Sequence, residues 1–419
     1  MNDVLRHALY AGLLVLALRC TAWFAVLAAA WLRFVRETGA ADDAESEKII
    51  AAQMTVPITF VLAPGADEKA GTFLARTGAA LAIRYPGFEV IAVLPASRAD
   101  LAEQCVREFD LKKINMVFRK VFSTPPVLGI HKTPAHKNLL VLQIDGVRRG
   151  DLLNAAVNLS TYPLICVIQG TPTPDSVTSL MVPFVRSPRE CAGTVGAIAP
   201  DAGDRRSGMF WLDNAGRLLG AAAAPSIQLR KGLPEVSLLL RKDAIIAAGG
   251  FAATGRYEGL LLRIARAGKR PSLVATVARI VGTSTMHGLG GWAAKEWALG
   301  RNVRQRLGAA AAAFSVVPPV LELGAWCAAA AAVARGAAGA GEMLFFLALA
   351  VGAAFVFRTL ALFCEETSFG VHRRAGKLPA VIAACIVENF GPRQAILAVR
   401  AASRLSGLLR KRMGSDTVT

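Results

Sequence analysis

The sequence has no C-x-x-C pair and no Cys/His ligand spacing. Its seven cysteines are scattered, and Cys20, Cys166, Cys327, Cys364 and Cys385 lie in apolar runs. That argues against a disulfide framework or a zinc module and for free thiols in a reducing compartment. No nucleic-acid motif accompanies the formal net charge of +18. The basic residues cluster beside apolar spans, so the expected partner is an anionic membrane surface and not nucleic acid. No solenoid repeat is present, and alanine clusters are the only low-complexity feature. The first apolar run lacks a small-residue cleavage site, so it reads as an uncleaved anchor.

Apolar residues dominate what is there. Of 419 residues, 54% are hydrophobic, and the mean hydropathy is +0.43. This composition suits one domain of roughly 250 residues with added membrane segments. Residues 9–32 are long enough to span a bilayer. Arg19 sits near the middle, where insertion costs roughly 2.5–3.5 kcal/mol. It either faces another helix or snorkels, or else serves a polymer channel. Residues 309–333 contain Pro318, Pro319 and Glu322, which predicts a kinked or partly interfacial segment. Residues 343–364 form a cleaner third span. Residues 379–399, broken by Glu388, Gly391 and Pro392, lie on the membrane or re-enter it. The tail, residues 400–413, reads as a basic amphipathic helix suited to anionic lipid.

Arginines follow the first span (Arg33, Arg36) and precede the second (Arg301, Arg304, Arg306). The positive-inside rule then predicts a multi-pass protein of the cytoplasmic (inner) membrane with its globular domain in the cytoplasm. The expected divisions are an anchor (1–37), a linker (38–55), a globular domain (56–300), two membrane segments (301–365) and a basic tail (366–419).

Within the globular part, apolar runs and turn signals predict strands at 56–63, 88–94, 114–118, 139–142, 164–168, 193–199 and 236–240. Helices are expected at 69–83, 98–109 and 151–158. Residues 123–137, with Pro125, Pro126 and Pro134, read as a loop whose His131 and His136 are solvated. Strand, basic turn, helix, strand over 139–168 is an α/β unit of a parallel sheet. Ligands sit at the carboxyl ends of such strands, which places Gln169, Gly170 and Thr171 at a candidate site.

The order of these segments resembles membrane-bound family 2 glycosyltransferases, the group of cellulose, hyaluronan and poly-N-acetylglucosamine synthases. Their GGKADALNAG-like segment corresponds to VRRGDLLNAA, residues 147–156, with Arg149, Asp151, Leu153 and Asn154 on the pattern. Pro64 and Glu68 fit loosely the P-x-x-N-E turn that touches the nucleotide. Residues 244–251, AIIAAGGF, resemble an acceptor-side segment, in which glycines let backbone approach a sugar closely. Trp297 occupies the tryptophan of Q-x-x-R-W.

The resemblance implies a Rossmann-like glycosyltransferase A fold, mostly parallel, with flanking transmembrane helices. It also implies a nucleotide-sugar partner bound around Pro64, Glu68, Arg149, Asp151, Asn154, Gln169, Thr171 and Trp297. The departures matter equally. Gln169-Gly170-Thr171 stands where D-x-D would coordinate a metal, so no metal cofactor is expected. Tyr257 falls on the base aspartate, with Glu258 the nearest carboxylate, and Glu296 replaces the arginine that offsets pyrophosphate charge. A phenol ordinarily ionises near pH 10 and is a poor base at neutral pH. The expectation is a catalytically degenerate glycosyltransferase-like protein, a partner or scaffold in an envelope polysaccharide or glycolipid complex. The alternatives are an active metal-independent transferase, with Arg148, Arg149 or the arginines after Trp297 in the metal's place, and a lipid- or protein-binding membrane scaffold.

Overall fold

A computed structural model of the chain describes residues 2–38, 56–65, 68–174, 176–186, 188–200, 236–252, 257–267, 273–284, 297, 309–357, 359–360, 379, 382–383 and 392–409. The chain forms two compact units. One comprises residues 36–201 and 233–285, the other residues 1–35, 202–232 and 286–419.

The first unit is a mixed α/β layer structure. Its strands are β1 (Ile58–Leu62), β2 (Phe88–Pro95), β3 (Lys112–Ile114), β4 (Val127–Lys132), β5 (Leu139–Ile144), β6 (Leu164–Val167), β7 (Thr171–Pro172), β8 (Cys191–Pro200), β9 (Val236–Arg241) and β10 (Leu273–Ser284). They form one sheet in the order β3-β4-β5-β2-β1-β6-β9-β8-β10-β7. β5, β2, β1 and β6 run parallel. β9 lies antiparallel between β6 and β8, so β8 and its parallel neighbour β10 keep the direction of β6. β1 and β6 are buried along their whole length. Continuous apolar strands are what a sheet covered on both faces requires.

The helices of this unit are α1 (Ala70–Leu81), α2 (Ala99–Glu108), α3 (Arg149–Leu159), α4 (Ser176–Arg186), α5 (Lys242–Ala247) and α6 (Tyr257–Ala267). Phe73 of α1, Leu101 and Cys105 of α2, and Val177, Leu180 and Met181 of α4 join Phe60, Leu62, Val90 and Val141 in one core.

Three segments differ from the sequence reading. Residues 127–132, expected as loop, form β4, paired antiparallel with β5. The prolines that suggested a loop precede or follow the strand and leave its N–H groups free to pair. The expected strand at 114–118 is β3 at 112–114 only. Beyond Pro174, α4 follows; Pro183 lies inside it, which disguised the helical pattern.

The second unit is helical. Asn2–Thr38, Ala309–Ala334, a helix beginning at Ala340–Leu347 and Pro392–Leu409 are its described long elements. The third passes through a π-helical turn at Ala348–Gly352. Leu9, Leu13 and Leu16 pack against Ala325, Ala329, Ala332, Phe346 and Ala350. A Cβ on Gly12 would come within 2.9 Å of the Ala325 Cβ, so glycine permits this close crossing. Among the described residues two helical stretches are long and apolar enough to cross a membrane, Asn2–Ala29 and Ala340–Phe357. The Ala309–Ala334 helix, expected as a kinked or partly interfacial membrane segment, is one continuous helix containing Pro318, Pro319 and Glu322. Arg19 forms a salt bridge with Glu322, so it faces another helix.

Candidate functional site

β1 and β6 run side by side and parallel. Beyond the carboxyl ends of these strands, four loops and helix starts converge. The chain leaving β6 delivers Gln169, whose N–H donates to Ser237 Oγ at 3.2 Å. Gly170 follows at φ +69, a left-handed conformation that glycine accepts without steric cost. The chain leaving β5 turns through residues 145–148 and places Arg149 at the start of α3.

Tyr257 arrives from elsewhere. Gly249 and Gly250 have φ +76 and +75. Asn154, buried on α3, grips the next residue from both sides: Nδ2 donates to the Phe251 carbonyl at 2.9 Å and Oδ1 accepts from the Phe251 N–H at 2.8 Å. Arg263 adds hydrogen bonds to the carbonyls of Ala248 and Gly250, at 2.7 and 2.6 Å. With this turn held, Tyr257 begins α6. It is buried, with its ring edge-on to Phe251 at 6.2 Å.

The three segments meet at the Tyr257 hydroxyl. Gln169 Nε2 donates to it at 2.8 Å, and Arg149 Nη2 donates at 3.3 Å. Arg76 of α1 lies close enough to feel both Arg149 and Tyr257 electrostatically. It is buried, and its Nη2 donates to the Ala63 carbonyl at 3.0 Å and to Glu68 Oε2 at 2.9 Å. Burial lowers its pKa most; Glu68 opposes that shift, and the like charge of Arg149 adds to it. A guanidinium ordinarily ionises above pH 12 and stays charged at neutral pH. The cluster therefore holds two cations, one carboxylate, a phenol and an amide. Such a balance favours an anion.

Among the residues expected at the site, the structure brings together Arg149, Gln169 and Tyr257. Glu68 is engaged in closing its own turn, accepting from the Gly65 N–H at 2.8 Å, and in pairing with Arg76. Pro64 is buried beside it. Asn154 is a positioning residue that acts through Phe251. Asp151 is half-buried in the first turn of α3. Thr171 pairs with Thr283 in the β7–β10 ladder. Glu258 follows Tyr257 in α6, but its side chain lies outside the described residues, as do residues 253–256 and the neighbours of Trp297. Trp297 itself is exposed and belongs to the helical unit. Arg76 was missed because an arginine within an apolar helix reads as a solvated face; only the tertiary fold buries it.

Among the described residues no group of three or more His, Cys, Asp and Glu side chains is placed to hold a metal ion. A cavity of about 580 Å³ lies at the opposite end of the strands, lined by Val56, Pro163, Phe184, Arg241, Lys242 and others. Its cations are occupied: Lys242 Nζ donates to the Ser160 carbonyl at 2.6 Å and Arg241 Nε to the Cys191 carbonyl at 2.9 Å. It shares no residue with the Tyr257 cluster.

No family model matches the chain, and no curated protein does. Among the solved structures similar to it are a mannosyltransferase and TarS. The first is PcManGT from Pyrobaculum calidifontis in complex with GDP-Man and Mn2+. It is 14% identical, the match covers 88% of this chain and 99% of that one, and the TM-score is 0.49. The other is TarS 1-349 of S. aureus, 12% identical over 85% of this chain and 93% of that one, with a TM-score of 0.37. Neither likeness assigns a role to any residue here.

Proposed function

We propose that the chain is a membrane-anchored, family 2 glycosyltransferase-like protein. Its cluster binds the diphosphate of a nucleotide sugar without performing transfer. The observation that carries this reading is the hydrogen bonding of Tyr257. A general base must offer a lone pair to the acceptor hydroxyl. The phenol oxygen has two acceptor sites, and Gln169 and Arg149 each donate to it. What remains is its O–H, a donor, which suits an anionic oxygen.

Arg149, reinforced by the charge of Arg76, supplies the positive field that a metal ion would otherwise provide. The apolar helices of the second unit support the membrane anchoring, with the globular unit on the cytoplasmic side. A binding role without turnover fits a partner in an envelope polysaccharide or glycolipid system. One observation favours a second reading, an active metal-independent transferase: two guanidiniums at one site can offset pyrophosphate charge.

The test is calorimetric titration of the detergent-purified chain with nucleoside diphosphates and their sugars, with and without magnesium or manganese. The expected result is metal-independent binding, weakened at least about tenfold by Arg149→Ala, since a charge-assisted hydrogen bond contributes roughly 1.5–3 kcal/mol. Hydrolysis or transfer of the sugar by the wild-type chain would establish the active reading instead. Binding that requires the metal would overturn both.

A further inference from the structure

Between Leu111 and Ile144 the chain contains no Asp or Glu, while Lys112, Lys113, Arg119, Lys120, Lys132 and Lys137 all lie there. β3 is the edge strand of the sheet. In its ladder with β4, Lys112 stands directly opposite Lys132, and Lys113 opposite His131. Like charges in direct cross-strand register are destabilising unless something outside the sheet neutralises them. The field is felt locally: burial lowers the pKa of His131, and Lys113 lowers it further.

The loop that follows β3 carries apolar side chains into solvent. Val117 is fully exposed, and Met116 and Val121 are 42% and 40% exposed. Arg119 and Lys120 between them are exposed as well. Val147, on the neighbouring turn after β5, is 77% exposed. This is not a loose segment turned outward by chance. Asn158 of α3 accepts from the N–H groups of Val121 and Phe122, both at 2.9 Å, and donates to the Phe122 carbonyl at 2.9 Å. The β3–β4 ladder fixes its other end. Along β3 the paired lysines lie within roughly 7 Å of the loop, at about 3.3 Å per residue.

Aliphatic side chains held out among six cations, with no carboxylate between Asp110 and Asp145, are suited to one kind of surface. Nucleic acid would satisfy the cations but leave the valines in water. An acidic protein would need its own apolar patch. A bilayer with anionic headgroups satisfies both, since apolar side chains enter the interfacial layer while Lys and Arg meet phosphates.

We propose that the β3–β4 edge and residues 115–121 form a docking surface for an anionic lipid bilayer. Met116, Val117 and Val121 enter the interface, and Lys112, Lys113, Arg119, Lys120 and Lys132 pair with lipid phosphates. The surface is independent of the nucleotide-sugar reading, because none of these residues belongs to the Tyr257 cluster.

The test uses the full chain in nanodiscs, with an environment-sensitive fluorescent amino acid at position 117. The nanodiscs contain phosphatidylcholine alone or with phosphatidylglycerol, and a lipid with a nitroxide on its acyl chain. The expected result is a blue shift and nitroxide quenching that require phosphatidylglycerol and fade as salt rises. Each cation near an anionic leaflet multiplies partitioning by roughly fivefold. Arg119→Gln with Lys120→Gln should therefore cut the docked-to-undocked ratio about 25-fold by that rule. Nucleoside diphosphate titration of the same double variant should be unchanged. Quenching that is absent in both lipids, or equal in both, overturns the proposal. So does shielding of position 117 by added RNA with no response to lipid.

Discussion

Asn154 spends its whole amide on the Phe251 backbone, and the site depends on that small contact. Replacing it with alanine leaves a buried N–H and a buried carbonyl without their partner. The loss should be about 2–3 kcal/mol, read as a fall in thermal midpoint. Tyr257 should also lose its position, so nucleotide binding should weaken although Asn154 touches no ligand. His131 gives a pH signature at the same scale. Burial and Lys113 set its folded pKa below the ordinary 6.5. As pH falls below about 6.5, the unfolded chain takes up this proton before the folded one does. Stability is therefore lost as pH drops through that window, and the loss is complete below the folded pKa. Thermal midpoints compared between pH 7.5 and 5 should fall less in His131→Asn than in the wild type.

Elements impose a different kind of constraint. The turn between α5 and α6 works only because Gly250 takes φ +75. A Cβ there would sit 2.7 Å from Asn154 Oδ1 and 2.9 Å from Phe122 Cε1. Gly250→Ala therefore meets both a disfavoured conformation and two neighbours held in place, and should cost about 2–3 kcal/mol. Equilibrium unfolding in denaturant would measure it; a neutral outcome would mean the turn relaxes freely. Thiols report on the sheet. Burial pushes Cys105 up to about 12 and Cys191 up to about 11, and Cys166 is also raised by burial. A thiolate is the reactive form, so these three should resist a thiol reagent at pH 8 in the folded chain and react once it is unfolded.

At the scale of the molecule, the helical unit places two charges among apolar helices and pairs them. Arg19 and Glu322 form a salt bridge in which Glu322 is almost wholly buried. Removing either charge breaks this ion pair and should be destabilising; replacing both puts an apolar contact in its place. Arg19→Leu and Glu322→Leu should each lower the thermal midpoint in detergent, and the double variant should recover much of the loss. Additive losses would show that the two charges act separately.

Sequence alone determined the elements whose pattern is local. The buried runs of β1, β2, β5 and β6, the helices α1, α2 and α3, and the first apolar helix follow from periodicity and turn chemistry within a dozen residues. Arg149, Gln169 and Tyr257 were individually legible, because strand ends and motif spacing marked them. That they meet at one phenol oxygen was not, since Tyr257 lies about a hundred residues from Arg149 and its approach depends on a glycine turn held by Asn154 and Arg263. Tertiary structure also decided β4, whose strand exists because β5 offers it an edge. It buried Arg76 and paired Arg19 with Glu322. Short-range sterics and apolar spacing are written along the chain. The partners of a buried charge or a hydrogen-bond donor are chosen only when distant segments are packed together.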